Sequence, residues 1–468
     1  MNFQLKSVDC TRLADTDTPV SIYLKLRDRF AATLLLEHSE QAAHPGYSYI
    51  CCEPIAGLIL EGPLLTTTYP NGITCTESIS NTQNLEHLIS DYLRSFRTDR
   101  TDKDFDIDGC FGYFNYDSVR HFERICIRET SDDAQKTPDI RLHFYQYVIV
   151  FNHASHQLTI VHFYNSEQDF TGTEIIENCI RTRHIADHPF RTISEERARS
   201  DEDSFLTMAR KGIGHCRRGD VFQIVLSHAF EISFQGDEFN VYRALRSINP
   251  SQYMFYFDYG SYRLFGSSPE AQLCIRDGKA VLHPIAGTYK RSGHAATDER
   301  LAAALLNDPK ESAEHVMLVD LARNDLSKSF RQIEVPVFKK IRSYSHVLHI
   351  VSEVTGTDPT GELNAIKVLA ETFPAGTLSG APKHRALQLI EKYEGSNRGF
   401  YGGCVGFIGL KGNCNQAIMI RSFLSKQGTL LYRAGAGIVA ASVPENELAE
   451  INNKLAALRA AIQNASSF

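Results

Sequence analysis

Four glutamates fall in two pairs, Glu311 with Glu314 and Glu447 with Glu450, each pair just inside a predicted helix start. Residues three apart share a helical face, so each pair aims its carboxylates the same way. Hard oxygen donors arranged like this suit Mg2+, which keeps several waters and needs only one or two direct carboxylates. Glutamates also favour a first helical turn for dipole reasons alone, so the spacing leaves both readings open. His346 and His349 lie in SYSHVLHIVSEV, whose β-branched alternation predicts a strand. Positions i and i+3 then face opposite sides and share no metal. One histidine there fits either a proton carrier with a pKa near neutrality or a hydrogen-bonded core residue. The loops PAGTLSGAPK (Pro374–Lys383) and Gly435-Ala436-Gly437 would let backbone N–H groups approach an anion, or simply need small residues to turn. Neither matches a P-loop or a dinucleotide fingerprint. Arg421, a charge inside the predicted strand QAIMIRSFL, needs a partner if buried, and a ligand carboxylate would serve. Together these residues describe a site for a small carboxylate-bearing metabolite without naming its reaction.

The elements that must position these groups are partly legible. Asp308-Pro309-Lys310-Glu311 reads as an N-cap, a first-turn proline and a glutamate three residues past the cap. Ser442-Val443-Pro444-Glu445 reads as a similar start, followed by an apolar stripe of Leu448, Ile451, Leu455, Leu458 and Ile462. In the N-terminal portion, YSYICCEPIAGLIL and HFYQYVIVF predict strands, and NHASHQ turns the chain into LTIVHFY as a hairpin. SYRLFGSS, GGCVGFIGL and QAIMIRSFL predict further strands among helices. Runs of neighbouring strands favour an α+β fold with large mixed sheets over a doubly wound one. The polar stretch 182–204 reads as a linker between an N-terminal domain, 1–181, and a larger catalytic domain, 205–468.

Composition sets outer bounds. A chain of 468 residues with 43% hydrophobic and 22% charged residues can bury a sizeable core, which excludes wholesale disorder. The net charge of −7 argues against a nucleic-acid binder, which would usually be basic. Eleven cysteines with no C-x-x-C spacing point to reduced thiols rather than a disulfide framework or a zinc knuckle. The start MNFQLKSVDCTRLAD has no apolar signal-peptide core, and no apolar run reaches the ~18 residues of a membrane span. A soluble, cytoplasmic protein is the expectation.

Seven blocks, in order over the C-terminal portion, resemble the chorismate-binding enzymes and within them the large subunit of anthranilate synthase. They are PIAGT (Pro284–Thr288), KESAEHVMLVDLARNDL (Lys310–Leu326), YSHVLHIVSEVTG (Tyr344–Gly356), PAGTLSGAPK, RGFYGGCVGF (Arg398–Phe407), AIMIRS (Ala417–Ser422) and AGAGIVAASVPENELAEINNK (Ala434–Lys454). The N-terminal portion resembles the family's preceding domain through LLLEH (Leu34–His38) and GYFNYD (Gly112–Asp117).

This resemblance implies that Glu314 and Glu450 hold Mg2+ directly, with Glu311 and Glu447 on metal-bound waters, so that the metal clamps the ring carboxylate of chorismate. It implies a chorismate site of Gly287, Thr288, Thr377, Tyr401, Arg421, Gly435, Ala436, Gly437 and Lys454. Glu270, in the SPE triplet, would be the general acid for the departing 4-hydroxyl, which requires a raised pKa. His349 would act later, on the ring proton as pyruvate leaves. Isochorismate- and salicylate-forming members carry a lysine where this chain has Gln223, which favours ammonia over water as nucleophile. Aminodeoxychorismate synthases typically read PIKGT, where this chain has Ala286. The resemblance therefore implies anthranilate and pyruvate as products, in L-tryptophan biosynthesis, with ammonia from a separate glutamine amidotransferase subunit in a hetero-oligomer. The alternatives are the aminodeoxychorismate enzyme and a non-catalytic tryptophan-binding subunit. A feedback site for L-tryptophan is implied at Glu37, His38, Gln252, Tyr253 and Met254. His38 replaces the family's serine there, with Ser39 following, while His228 and Ala441 depart from the family outside the implied site.

Overall fold

The computed structural model describes residues 2–38, 46–79, 85–100, 105–128, 135–182, 185–186, 188–343, 347–358 and 363–468. His346 and Ser39 fall outside them. The β-branched and aromatic runs of the N-terminal portion form the expected strands. Tyr47–Glu61 pairs antiparallel with Ile140–Asn152, which turns back into Gln157–Tyr164. The Asn152 side chain closes that hairpin by accepting the N–H groups of Ala154 and Ser155.

The two portions of the chain share their sheets. Leu34–His38 lies between Tyr47–Glu61 and the C-terminal strand Tyr253–Asp258. Gly109–Phe114 lies between Ile140–Asn152 and Cys404–Gly409. The two large cores likewise mix portions: Phe144 packs in one cluster with Tyr253 and Phe407, and Ile149 in another with Phe239 and Leu455. The stretch 188–204, most of the expected linker, is built into this structure. Phe190–Thr192 and Arg197–Ala198 pair with Gln223–Gly236, and the helix Glu202–Arg218 starts before the stretch ends. Its polar composition reflects an exposed edge position. Among the described residues, no helix is long and apolar enough to cross a membrane.

Both helices that carry the glutamate pairs are present. Pro309–Ser327 starts at Asp308, whose carboxylate accepts the N–H groups of Lys310 and Glu311. Pro444–Asn464 starts without a side-chain cap, because its N-cap is Val443, and Ser442 Oγ accepts the Val439 N–H at 3.0 Å. Packing holds that helix: Ile451, Leu455, Leu458 and Ile462 are buried, and Leu448 is partly so. Leu455→Ala should therefore cost about 3 kcal/mol in urea unfolding, and a cost below about 1 kcal/mol would contradict this packing role.

One predicted strand is two. QAIMIRSFL breaks between Cys414–Ile418 and Ser422–Lys426, with Arg421 in the left-handed region at φ 48°. The reason is a change of partners. The first piece pairs with Ala271–Arg276 and Cys404–Gly409, the second with Tyr262–Ser268 and Thr429–Ile438. The kink takes Arg421 out of the ladder.

Candidate active site

The site forms where the Gln223–Gly236 strand meets the two glutamate-bearing helices. Gln223 is buried at the head of that strand, and its Nε2 donates to Glu314 Oε1 at 2.9 Å. The partner strand places Gly437 opposite Val225 and Gly435 opposite Ser227, so the small-residue loop lies beside Gln223. The close fit demands glycine: a Cβ on Gly437 would come within 2.5 Å of Gln223 Nε2. Gly437→Ala should displace the Gln223 amide from Glu314 and lower catalytic efficiency by about a hundredfold, with little change in Tm. Unchanged kinetics would show that this contact has no role.

Glu270 follows the strand Tyr262–Ser268 and accepts a hydrogen bond from Thr377 Oγ1 at 2.9 Å. Thr377 belongs to the PAGTLSGAPK loop, so the structure joins two separately predicted residues. Burial pushes the Glu270 carboxyl up to about 7, against the opposing pull of Thr377, Lys454 and Arg421. Such a group holds a proton that it can give away near neutral pH. The PAGTLSGAPK loop is anchored by its own lysine. Buried Lys383 donates to Asp325 Oδ2 at 2.7 Å and to the Thr372 carbonyl at 2.9 Å.

His349 lies in Val347–Thr357, with Nδ1 donating to the Gly287 carbonyl at 2.9 Å. That bond makes Nε2 the basic nitrogen of the neutral ring. Burial lowers the His349 pKa, and Arg421 lowers it further despite the Gly287 bond, so the ring is neutral at pH 7. Gly287 adopts φ 67°, and a Cβ there would meet Glu311 Oε2 at 3.2 Å. The PIAGT block thus touches both the histidine strand and the acidic helix. The Thr288 backbone pairs with His349 in the same ladder.

Lys454 donates to the Gly435 carbonyl at 2.8 Å and pairs with Glu450 at 2.7 Å. Tyr401 is buried, with its hydroxyl 3.0 Å from where a Gly435 Cβ would stand. Arg421 faces Glu270 electrostatically, and burial depresses its pKa. Thus Gln223, Glu270, Thr377, Gly287, Tyr401, Arg421, the Gly435–Gly437 segment and Lys454 are linked by contact or field into one site.

The glutamates converge with repelling charges. Burial raises the Glu311 pKa, and Glu314, Asp308 and Glu450 raise it further. Glu447 is raised by burial and by Glu450. Among the described residues, no three acidic, histidine or cysteine side chains come close enough to enclose a metal by themselves. An all-oxygen donor set whose negative charge Lys310 and Lys454 offset only in part fits Mg2+, which completes its sphere with water and substrate oxygens.

The five residues implied for tryptophan divide between two sheet faces. Tyr253 stands opposite His38 and Met254 opposite Glu37 in register. Glu37 is engaged by Arg246 at 2.8 Å through Nε and by the Tyr242 hydroxyl at 2.6 Å. Met254 is buried in a hydrophobic core. On the other face His38 stacks on Tyr253 with centroids 4.9 Å apart, and Gln252 Nε2 lies 3.3 Å from His38 Nε2.

Sequence reading missed the buried ionic group of Glu394, Arg398, Arg433 and Asp117 behind Tyr401. Its signal was available: Arg398 opens RGFYGG and Asp117 closes GYFNYD.

Comparison with known proteins agrees with this geometry. The family model described as "chorismate binding enzyme" matches residues 51–460. Anthranilate synthase component 1 of Aquifex aeolicus is 36% identical over 96% of this chain and 93% of that protein. The Bacillus subtilis protein of the same name is 34% identical over 96% and 90%. The crystal structure of anthranilate synthase component I from Streptococcus pneumoniae superposes with a TM-score of 0.76 at 28% identity, covering 96% of this chain and 99% of that one. The menaquinone-specific isochorismate synthase of Escherichia coli shares the fold, with a TM-score of 0.74 at 18% identity over 99% and 95% of the two chains. With a family model spanning most of the sequence and relatives matched nearly end to end, the chain belongs to the chorismate-binding enzyme family.

Proposed function

We propose that the chain is the catalytic component of an anthranilate synthase, converting chorismate and ammonia to anthranilate, pyruvate and water in L-tryptophan biosynthesis. The observation that carries the choice of nucleophile is Gln223. Its Nε2 is spent on Glu314, while its buried Oε1 has no hydrogen-bond partner. An orphaned buried acceptor costs about 1–3 kcal/mol, and an N–H of ammonia would satisfy it. A lysine that would activate water is missing from that position.

The residues then divide the work. Arg421, Tyr401 and the Gly435–Gly437 backbone hold the enolpyruvyl carboxylate, and Gly287 and Thr288 border the ring. Glu270 gives its proton to the departing 4-hydroxyl, which leaves as water while ammonia bonds to C2 and the ring double bonds shift. His349 Nε2 then takes the C2 proton as the enolpyruvyl group departs as pyruvate and the ring becomes aromatic. Glu314 and Glu450, with Glu311 and Glu447 behind them, would hold Mg2+, which supplies charge neutralisation at the ring carboxylate.

A separate glutamine amidotransferase subunit is the ammonia source in this reading. L-Tryptophan is its inhibitor, bound against His38, Tyr253 and Gln252 near Glu37 and Met254, and the cytoplasm its location. Purified chain given chorismate, an ammonium salt and Mg2+ should release fluorescent anthranilate, and a chelator should stop it. Chorismate left untouched would overturn the proposal.

A further inference from the structure

GYFNYD lies in the N-terminal portion, far in sequence from every residue assigned a chemical role. Its last residue, Asp117, is buried, and its carboxylate accepts two successive backbone N–H groups, of Gly399 at 2.9 Å and Arg398 at 3.3 Å. The Tyr116 N–H donates to the Gly399 carbonyl at 2.8 Å, so the two segments clasp each other from both directions. Gly399 has φ 58°, a conformation that leaves its N–H and carbonyl available to this clasp. Two residues later the same loop presents Tyr401.

The Arg398 side chain is the hub of the opposite side of this loop. It makes a bidentate pair with Glu394, with Nε at 2.9 Å and Nη2 at 2.5 Å. It also donates to the Leu378 carbonyl at 2.5 Å, one residue past Thr377, and to the Val225 carbonyl at 2.7 Å, opposite Gly437. Its guanidinium lies over the Tyr116 ring at 4.5 Å and the Tyr401 ring at 5.9 Å. Glu394 in turn accepts from Ser227 N at 2.8 Å and from Arg433 at 3.2 Å. One buried guanidinium thus ties the Tyr401 loop to the Thr377 loop and to the strand paired with Gly437.

We infer that Asp117 and Arg398 are positioning residues that fix the Tyr401 hydroxyl against the Gly435–Gly437 segment, so that the N-terminal portion sets the affinity of the chorismate carboxylate pocket. The inference rests on the proposed chorismate chemistry and adds how its pocket is held. Neither residue touches the substrate. Both act through the loop.

The test is steady-state kinetics on the full chain, varying chorismate with ammonium and Mg2+ saturating. Asp117→Asn keeps the shape and one acceptor but loses the charge. It should raise KM for chorismate about tenfold while kcat changes less than about threefold. In a Tyr401→Phe background the same substitution should add less than about a twofold effect, because the two act as one unit. Should Asp117→Asn fail to fold, Arg398→Lys takes its place, with the same split expected because the bidentate fork is lost. An unchanged KM, or effects that multiply in the double variant, would overturn the positioning role alone. Wild-type chain that neither binds nor consumes chorismate would overturn the functional reading and this inference with it.

Discussion

Glu314→Ala should abolish turnover, lowering kcat/KM for chorismate by at least about a thousandfold, equivalent to roughly 4 kcal/mol of transition-state stabilisation. Two contacts converge on this residue: Gln223 donates to one carboxylate oxygen, and its field raises the neighbouring Glu311 carboxyl. The variant therefore loses the anchor of Gln223 and, in the proposed assignment, a ligand for Mg2+. Glu450→Ala should fall in the same direction, since Glu450 repels both Glu311 and Glu447. Neither change should unfold the protein, because removing one of several mutually repelling carboxylates relieves strain. A thermal melt separates the two effects. Mg2+ should raise the wild-type Tm by mass action and leave the variant's unmoved. Retained turnover in either variant would sink the metal assignment.

Glu270→Gln should be nearly as damaging to turnover, with a loss of about a thousandfold, because an amide has no proton to give the departing hydroxyl. The wild-type profile carries the same signature. With its carboxyl pushed up to about 7, Glu270 is protonated below that pH, so kcat/KM should decline as pH rises through about 7. The variant's residual rate should lack that limb. Stability should fall over the pH range just below that. The folded pKa lies above the ordinary 4.5, so the folded state binds the extra proton and wild-type stability falls as pH rises from about 4.5 to about 7. Above that window Glu270→Gln should be the more stable protein, and below about pH 4.5 the difference should vanish. An activity limb that survives in the variant would assign the titration to another group.

These two residues also show what the sequence made legible. Glu314 was visible through its helix, because Asp308 and Pro309 mark the start and fix which face follows. Glu270 carried no such local mark. Its pKa depends on burial and on Thr377, over a hundred positions away, and only the resemblance pointed to it. Arg421 stands out in the sequence as a charge in an apolar run. Its backbone kink does not, because the run stays apolar while the strand changes partners, and hydrophobic pattern does not record which strand lies alongside. The polar stretch 182–204 was legible as a break in pattern, though its short strands were not, since an exposed edge needs no apolar alternation. The sharing of sheets was hidden for a related reason. Leu34–His38 looks like any buried strand, and nothing local says that one neighbour is Tyr253–Asp258. Gln223 is the sharpest case: its identity suggested the nucleophile, and only the structure shows its amide divided between Glu314 and an unfilled acceptor.

The central claim is that ammonia, directed by Gln223, adds at C2. The measurement that tests it most directly is the mass and NMR spectrum of the product formed from chorismate, 15N-labelled ammonium and Mg2+ by the purified chain. The prediction is 2-aminobenzoate carrying the label, with one pyruvate released for each. Label at C4, or an unlabelled hydroxylated product, would contradict it.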